Sequence, residues 1–140
     1  MKNVRIRGFT VIELMIGLVI VAVLVSLAVP SFRDTLRKSR RSDAMDAIMN
    51  IHLSQERYRV NNPAYGSLVN LNKTDPLISP DGHYSLTIDD DSLSATYYII
   101  TADAKGDQAN DSCGDFTLEF DAGNIIKTAD ADNDDLCWRK

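Results

Sequence analysis

The sequence predicts an α+β fold in which the C-terminal half of one long N-terminal helix packs on a small antiparallel β-sheet. Two observations predict it. An apolar run from Phe9 to Val29, with one charged residue, leads into a stretch with the apolar spacing of a helix. Beyond residue 82, apolar and polar residues alternate in short runs that turn residues separate. With 140 residues, the chain has room for one small domain beside the apolar segment.

Residues 9–30 form the apolar segment, FTVIELMIGLVIVAVLVSLAVP. A helix of this length is roughly 33 Å long and matches the roughly 30 Å hydrocarbon core of a bilayer. It is longer than the apolar region of a cleaved secretory signal. A plain membrane anchor would explain the length, but it would not explain Glu13, because a carboxylate inside a membrane is costly. The charge of Glu13 therefore predicts a partner.

Residues 31–62 continue the helix as an amphipathic segment, and Pro30 is expected to kink it. Asn61-Asn62-Pro63 predicts its end. The basic cluster Arg37, Lys38, Arg40 and Arg41 allows contact with nucleic acid or lipid headgroups. The favoured interpretation is a solvated helix face, partly paired with Asp34.

Residues 63–140 are predicted to form the β-sheet domain. Residues 64–82 contain glycine and proline among polar residues and are expected to form a loop. Alternation then predicts strands around Tyr84–Ile88 and Phe116–Phe120, and the β-rich run Tyr97–Ile100 predicts another between them. Asp121-Ala122-Gly123-Asn124 predicts a hairpin turn into a last strand at 125–127.

Charge and motifs limit the function classes. Residues 61–140 hold fifteen acidic and five basic residues, so DNA is a possible but disfavoured partner, since phosphate binding requires cations. The sequence contains no nucleophile elbow, phosphate loop or paired carboxylates in a plausible cleft, and we expect no enzymatic activity. His52 and His83 have no second ligand at metal-binding spacing and are expected to be structural.

The N-terminal pattern resembles a known processing signal. After the basic leader MKNVRIRG, the residues Gly8-Phe9-Thr10-Val11-Ile12-Glu13-Leu14-Met15 and the apolar stretch to Ala28-Val29-Pro30 resemble the class III signal of type IV pilins and pseudopilins. The resemblance implies that a prepilin peptidase removes residues 1–8 by cleavage after Gly8 and methylates the amine of Phe9. It also implies that Glu13 pairs with the Phe9 amine of a neighbouring subunit. One departure is Ala22, where many relatives have glycine.

The two cysteines, Cys113 and Cys137, are expected to form a disulfide in the oxidising compartment that such an exported chain reaches. A bridged C-terminal region is similar to that of type IV pilins, and the Cys137-Trp138 ending looks like that of a subgroup of minor pilins. A metal or redox role is disfavoured, because the sequence has no CxxC motif.

The acidic run from Asp130 to Asp135 has carboxylates at alternating positions, as at the start of a calcium loop. Calcium at Asp130, Asp132 and Asp134 is the disfavoured alternative, because the glycine and the glutamate of an EF-hand are missing. A solvated acidic loop is the favoured interpretation, and no other cofactor is expected.

The resemblance implies a structural subunit of a type IV pilus, most like a minor pilin supporting pilus assembly, twitching motility, adhesion or DNA uptake. The alternatives are a pseudopilin of a type II secretion system and a DNA-binding competence pilin. The implied partners are other pilin subunits, the prepilin peptidase and the assembly platform. The implied location is the bacterial inner membrane, with the leader in the cytoplasm, and then the extracellular pilus.

Overall fold

The computed structural model describes residues 8–131 and 134–139, without the side chains of residues 30, 134 and 135. Helix α1 spans Val11–Arg59 and the short helix α2 spans Asp134–Cys137. The strands are β1 (Leu77–Ile78), β2 (Tyr84–Ile88), β3 (Tyr97–Ala104), β4 (Phe116–Asp121) and β5 (Asn124–Ala129). The chain divides between Thr35 and Leu36 into two compact units, here called the N-terminal unit and the globular unit.

Helix α1 begins and ends close to the predicted residues. Glu13 lies in its first turn, and Arg57 and Arg59 lie in its last turn, where each charge interacts favourably with the helix dipole. At the C-terminal end, the amide Nδ2 of Asn62 donates to the carbonyl of Tyr58 at 2.8 Å. This bond satisfies one of the carbonyls that a helix end leaves without a partner.

The globular unit contains a five-stranded antiparallel sheet in the order β1-β2-β3-β4-β5. The predicted α+β fold is confirmed, as is the β4–β5 hairpin, whose turn residues Ala122 and Gly123 both have positive φ (46° and 96°). The expectation of an uninterrupted loop over 64–82 was wrong at β1, where Leu77 pairs with Leu86 and Ile78 with Ser85. A two-residue strand is too short to show alternation in the sequence.

The core lies between the sheet and the part of α1 that begins at Ala44. Alternate residues of β2, β3 and β4 are buried in this core. The large side chains at this interface are Ile48, Ile51, Tyr84, Leu86, Tyr98, Ile100, Phe116 and Leu118. Phe32 and Leu36 are apolar residues of the predicted amphipathic segment, but they are 63% and 37% exposed, so the apolar face of α1 is buried only further along the helix.

A buried glutamine fixes the chain that leaves α1. Gln55 is fully buried; its Nε2 donates to the carbonyl of Gly66 at 2.6 Å, and its Oε1 accepts from the Gly66 N–H at 3.0 Å. A Cβ at Gly66 would lie 2.8 Å from Cβ of Asn70 and 2.9 Å from the Tyr58 ring. Only glycine fits where the backbone comes this close to Tyr58 and Asn70. The two hydrogen bonds with Gln55 hold the start of the 64–82 segment against the helix.

Candidate functional site

The apolar side chains of the N-terminal unit are exposed along its whole length. From Phe9 to Val29, every large apolar residue is between 45% and 82% exposed. Among the described residues, α1 is the one helix long and apolar enough to cross a membrane. An apolar surface of this extent marks contact with lipid or with other chains.

The start of α1 places a single carboxylate in this surface. Glu13 is exposed, and its N–H donates to the hydroxyl of Thr10 at 3.3 Å, while the N–H of Leu14 donates to the Thr10 carbonyl at 3.2 Å. Thr10 is therefore the N-cap of α1. The sequence analysis missed this role, although Thr and Glu three residues apart form the capping-box pattern that signals it.

The predicted processing site lies just before the first helical turn. Gly8 and Phe9 are both exposed, and nothing lies within 4 Å of the position of a Cβ on Gly8. Leader residues 1–7 lie outside the described residues. Pro30 lies within α1, but its side chain is not described, and a kink there stays a prediction.

The basic cluster of α1 forms ion pairs with the segment that follows β3. Arg41 binds Asp111 through two hydrogen bonds of 2.7 Å, and Arg37 and Arg40 both contact Asp107, at 2.9 and 3.7 Å. The interpretation of the basic cluster as a solvated face was wrong for Arg37 and Arg41, whose side chains are 15% and 10% exposed, whereas Lys38 is exposed. We call this set of pairs the arginine clamp.

Burial makes one of these pairs different from the others. The side chains of Arg41 and Asp111 are 10% and 4% exposed, whereas that of Asp107 is 44% exposed. The hydrogen bond that Arg41 donates to the Asp111 carboxylate raises the pKa of Arg41 above its ordinary value, against the opposing effect of burial. The same segment inserts Gln108, whose Nε2 donates to the Tyr84 hydroxyl at 2.9 Å. Burial raises the pKa of Tyr84 to about 12, so this phenol stays neutral.

Cys113 and Cys137 form a disulfide that links the segment before β4 to α2, with 5.7 Å between their Cα atoms. The next residue, Trp138, donates its indole N–H to the carbonyl of Thr128 at 2.9 Å. Its ring lies edge-on to Phe116 at 5.4 Å. The Cys-Trp ending therefore fastens the C-terminal segment to β4 and β5.

A family model described as type IV minor pilin ComP, DNA uptake sequence receptor, matches residues 30–117, more than half of the chain. The chain belongs to the type IV minor pilin family. The prokaryotic N-terminal methylation motif matches residues 3–29 of this pilin. The two matches together cover the apolar segment, the arginine clamp and the sheet up to the start of β4.

Curated relatives of this pilin come from two systems. Type II secretion system core protein G of Dickeya chrysanthemi is 29% identical over 73% of this chain and 72% of its own length. The core protein G of Pectobacterium carotovorum subsp. carotovorum is 36% identical over 45% of this chain, and the match spans 40% of that protein. Type IV major pilin protein PilA of Myxococcus xanthus is 32% identical over 49% of this chain, and the match spans 31% of that protein.

The calcium interpretation of the acidic run rests mainly on residues that the structure does not describe. Asp132 lies outside the described residues, as does the side chain of Asp134. Asp130 is described, and its Oδ2 accepts a hydrogen bond from the N–H of Asp115 at 3.2 Å. Calcium binding by this pilin stays a prediction.

Asp43 is a buried organising residue that the sequence analysis missed. Its carboxylate accepts hydrogen bonds from the Ser79 hydroxyl at 2.6 Å, the Asp81 N–H at 3.1 Å and the His83 N–H at 3.3 Å. These bonds hold the β1–β2 connection against α1. An acidic residue on a helix gives no signal of such a role, because its donors lie far away in the sequence.

His52 joins an aromatic cluster inside the globular unit. Its Nδ1 lies at hydrogen-bond distance from the Tyr98 hydroxyl, and Tyr98 stacks on Phe120 with 5.1 Å between ring centroids. Burial lowers the pKa of His52, and Lys127 adds to this effect, while Glu56 opposes it. The expected structural role of His52 agrees with these contacts.

Proposed function

We propose that this pilin is a minor structural subunit of a type IV pilus, released by cleavage after Gly8, methylated on the amine of Phe9 and assembled through Glu13. The observation that carries the proposal is the exposed apolar segment that begins at Phe9 and contains Glu13 as its one charge. The methylation-motif match over residues 3–29 supports the processing step. The protein acts by assembly and not by catalysis.

The chemistry of the segment explains how assembly would proceed. In the inner membrane, with the leader in the cytoplasm, lipid covers the apolar side chains of residues 9–29. In the extracellular pilus, the same side chains pack on helices of neighbouring pilins after the assembly platform has extracted the subunit. Glu13 then meets the amine of Phe9 on a neighbour, and this contact pairs a charge that would otherwise be buried alone.

Mass spectrometry of sheared surface fibres and of washed membranes tests the proposal. We expect a peptide that begins at Phe9 and carries one added methyl group, both in the membranes and, at a lower level than the major subunit, in the fibres. Glu13→Ala should leave the processed peptide in membranes and remove it from fibres. Ser26→Ala is the matched control, since Ser26 lies in the same segment and donates to its own helix at the Val23 carbonyl. An unprocessed Met1 terminus in both fractions would contradict the proposal.

A pseudopilin of a type II secretion system is a second candidate, favoured by the similarity to core protein G of several bacteria. Deletion of the gene separates the two candidates. Loss of surface fibres with normal secretion supports the pilus subunit, and loss of secreted enzymes with normal fibres supports the pseudopilin.

Reception of DNA is a candidate role for the assembled subunit, favoured by the description of the matching family model. The net acidity of residues 61–140 disfavours broad contact with DNA, so a DNA site on this chain requires a local group of cations. Direct binding of duplex DNA by the purified full chain tests this role.

A further inference from the structure

The globular unit has an open groove between α1 and the segment that leads into β1. We call it the Arg57 groove; its volume is about 390 Å³. Helix α1 contributes Asn50, Leu53 and Arg57, and the opposite wall contributes Lys73 and Ile78. Among the residues that the structure describes, none that lines this groove carries a carboxylate.

The two cations of the groove are available to a ligand. Neither the Arg57 nor the Lys73 side chain has a hydrogen bond or an ion pair with the described residues. In contrast, the arginine clamp already uses Arg37, Arg40 and Arg41 to bind Asp107 and Asp111. Carboxylates therefore neutralise most of the charge of the basic cluster, whereas the charges of Arg57 and Lys73 remain available.

The rest of the groove suits a nucleic acid strand. Leu53 and Ile78 are 51% and 44% exposed and provide an apolar surface beside the cations, and Asn50 provides an exposed amide. Phosphate oxygens bind arginine and lysine, while sugars and bases contact apolar and amide groups. The wall is also held in place, since Asp43 binds the connection that follows Ile78.

We propose that the Arg57 groove is the DNA-contacting surface of this pilin, with Arg57 and Lys73 binding backbone phosphates. This inference rests on the DNA-receptor role proposed above. The family match over residues 30–117 contains the whole groove. A larger groove of about 1010 Å³ beside the disulfide also contains Lys38, but it is a poorer site, because Asp46 lines it, its Arg41 is paired with Asp111 and its Arg139 lies beyond the match.

The test is fluorescence anisotropy of a pool of short random-sequence duplexes with the full chain in detergent, across a range of salt concentrations. Arg57→Gln combined with Lys73→Gln should weaken binding roughly 60-fold at 0.1 M salt and reduce the slope of log K against log salt by about 1.8. Leu53→Ser should weaken binding without changing that slope. Lys105→Gln, which removes an exposed lysine elsewhere on the globular unit, is the matched control and should leave both values unchanged.

The possible outcomes distinguish failure of the groove assignment from failure of the proposed DNA-receptor role. If the unmodified protein binds no duplex, the DNA-receptor role fails, and the groove assignment fails with it. If the unmodified protein binds and the double variant binds equally well, only the groove assignment is overturned. Loss of binding on Lys38→Gln with no loss in the double variant would overturn it in favour of the basic cluster. Circular dichroism of each variant excludes unfolding as the cause of a loss.

Discussion

His52 shows how one side chain couples the stability of the globular unit to pH. It lies among groups from four elements, namely Glu56 on α1, Tyr98 on β3, Phe120 on β4 and Lys127 on β5. Burial lowers its pKa in the folded state below the ordinary value of 6.5. The folded protein therefore disfavours protonation more than the unfolded chain does.

The sign of the pH effect follows from this lowered pKa. Where the unfolded state binds more protons, the free energy of unfolding rises with pH. The contribution of His52 is complete above pH 6.5 and declines as the pH falls through 6.5 toward the lower folded pKa. We expect urea unfolding of the full chain in detergent to show lower stability at pH 5.5 than at pH 7.5. His52→Gln should reduce this difference, and an equal reduction by His83→Gln would contradict the assignment.

At the scale of elements, the arginine clamp holds the segment after β3 to α1, and its pairs should differ in energy. Asp111→Ala leaves the guanidinium of Arg41 buried without its carboxylate, which costs about 3–5 kcal/mol of unfolding free energy. Asp107→Ala removes a carboxylate whose side chain is 44% exposed, and we expect it to cost less, about 1 kcal/mol. Urea unfolding of the two variants measures the difference. Equal costs would show that burial of the Arg41–Asp111 pair does not govern the clamp.

Some elements of the fold could be predicted from the sequence, and others could not. Strands β2 and β4 were predictable because Tyr84, Leu86 and Phe116, Leu118 alternate with polar residues, a signal contained in each strand. The exposed apolar segment and Glu13 were predictable for the same reason. The partners of Arg41 and of Asp43 were not, because ion pairs and buried hydrogen bonds join residues far apart in sequence. The Arg57 groove could not be predicted either, since Arg57 and Lys73 lie in different polar stretches of the sequence and only the fold brings them to one groove.

At the scale of the whole molecule, the division between Thr35 and Leu36 separates the predicted processing site from the disulfide. Gly8, Phe9 and Glu13 belong to the N-terminal unit, and Cys113 and Cys137 belong to the globular unit. Loss of the disulfide should therefore lower the stability of the globular unit and leave the processing of the N-terminus unchanged.

Replacement of both Cys113 and Cys137 by serine tests this separation. The bridge joins residues 24 positions apart, so its loss should reduce the unfolding free energy of the globular unit by about 3.5 kcal/mol on the loop-entropy model. We expect urea unfolding to shift accordingly, and reduction of the unmodified protein to give the same shift. The methylated peptide beginning at Phe9 should still be found in membranes, because the peptidase acts on the other unit. If the serine variant kept the Met1 terminus, processing would require the folded globular unit, and the two units would be coupled.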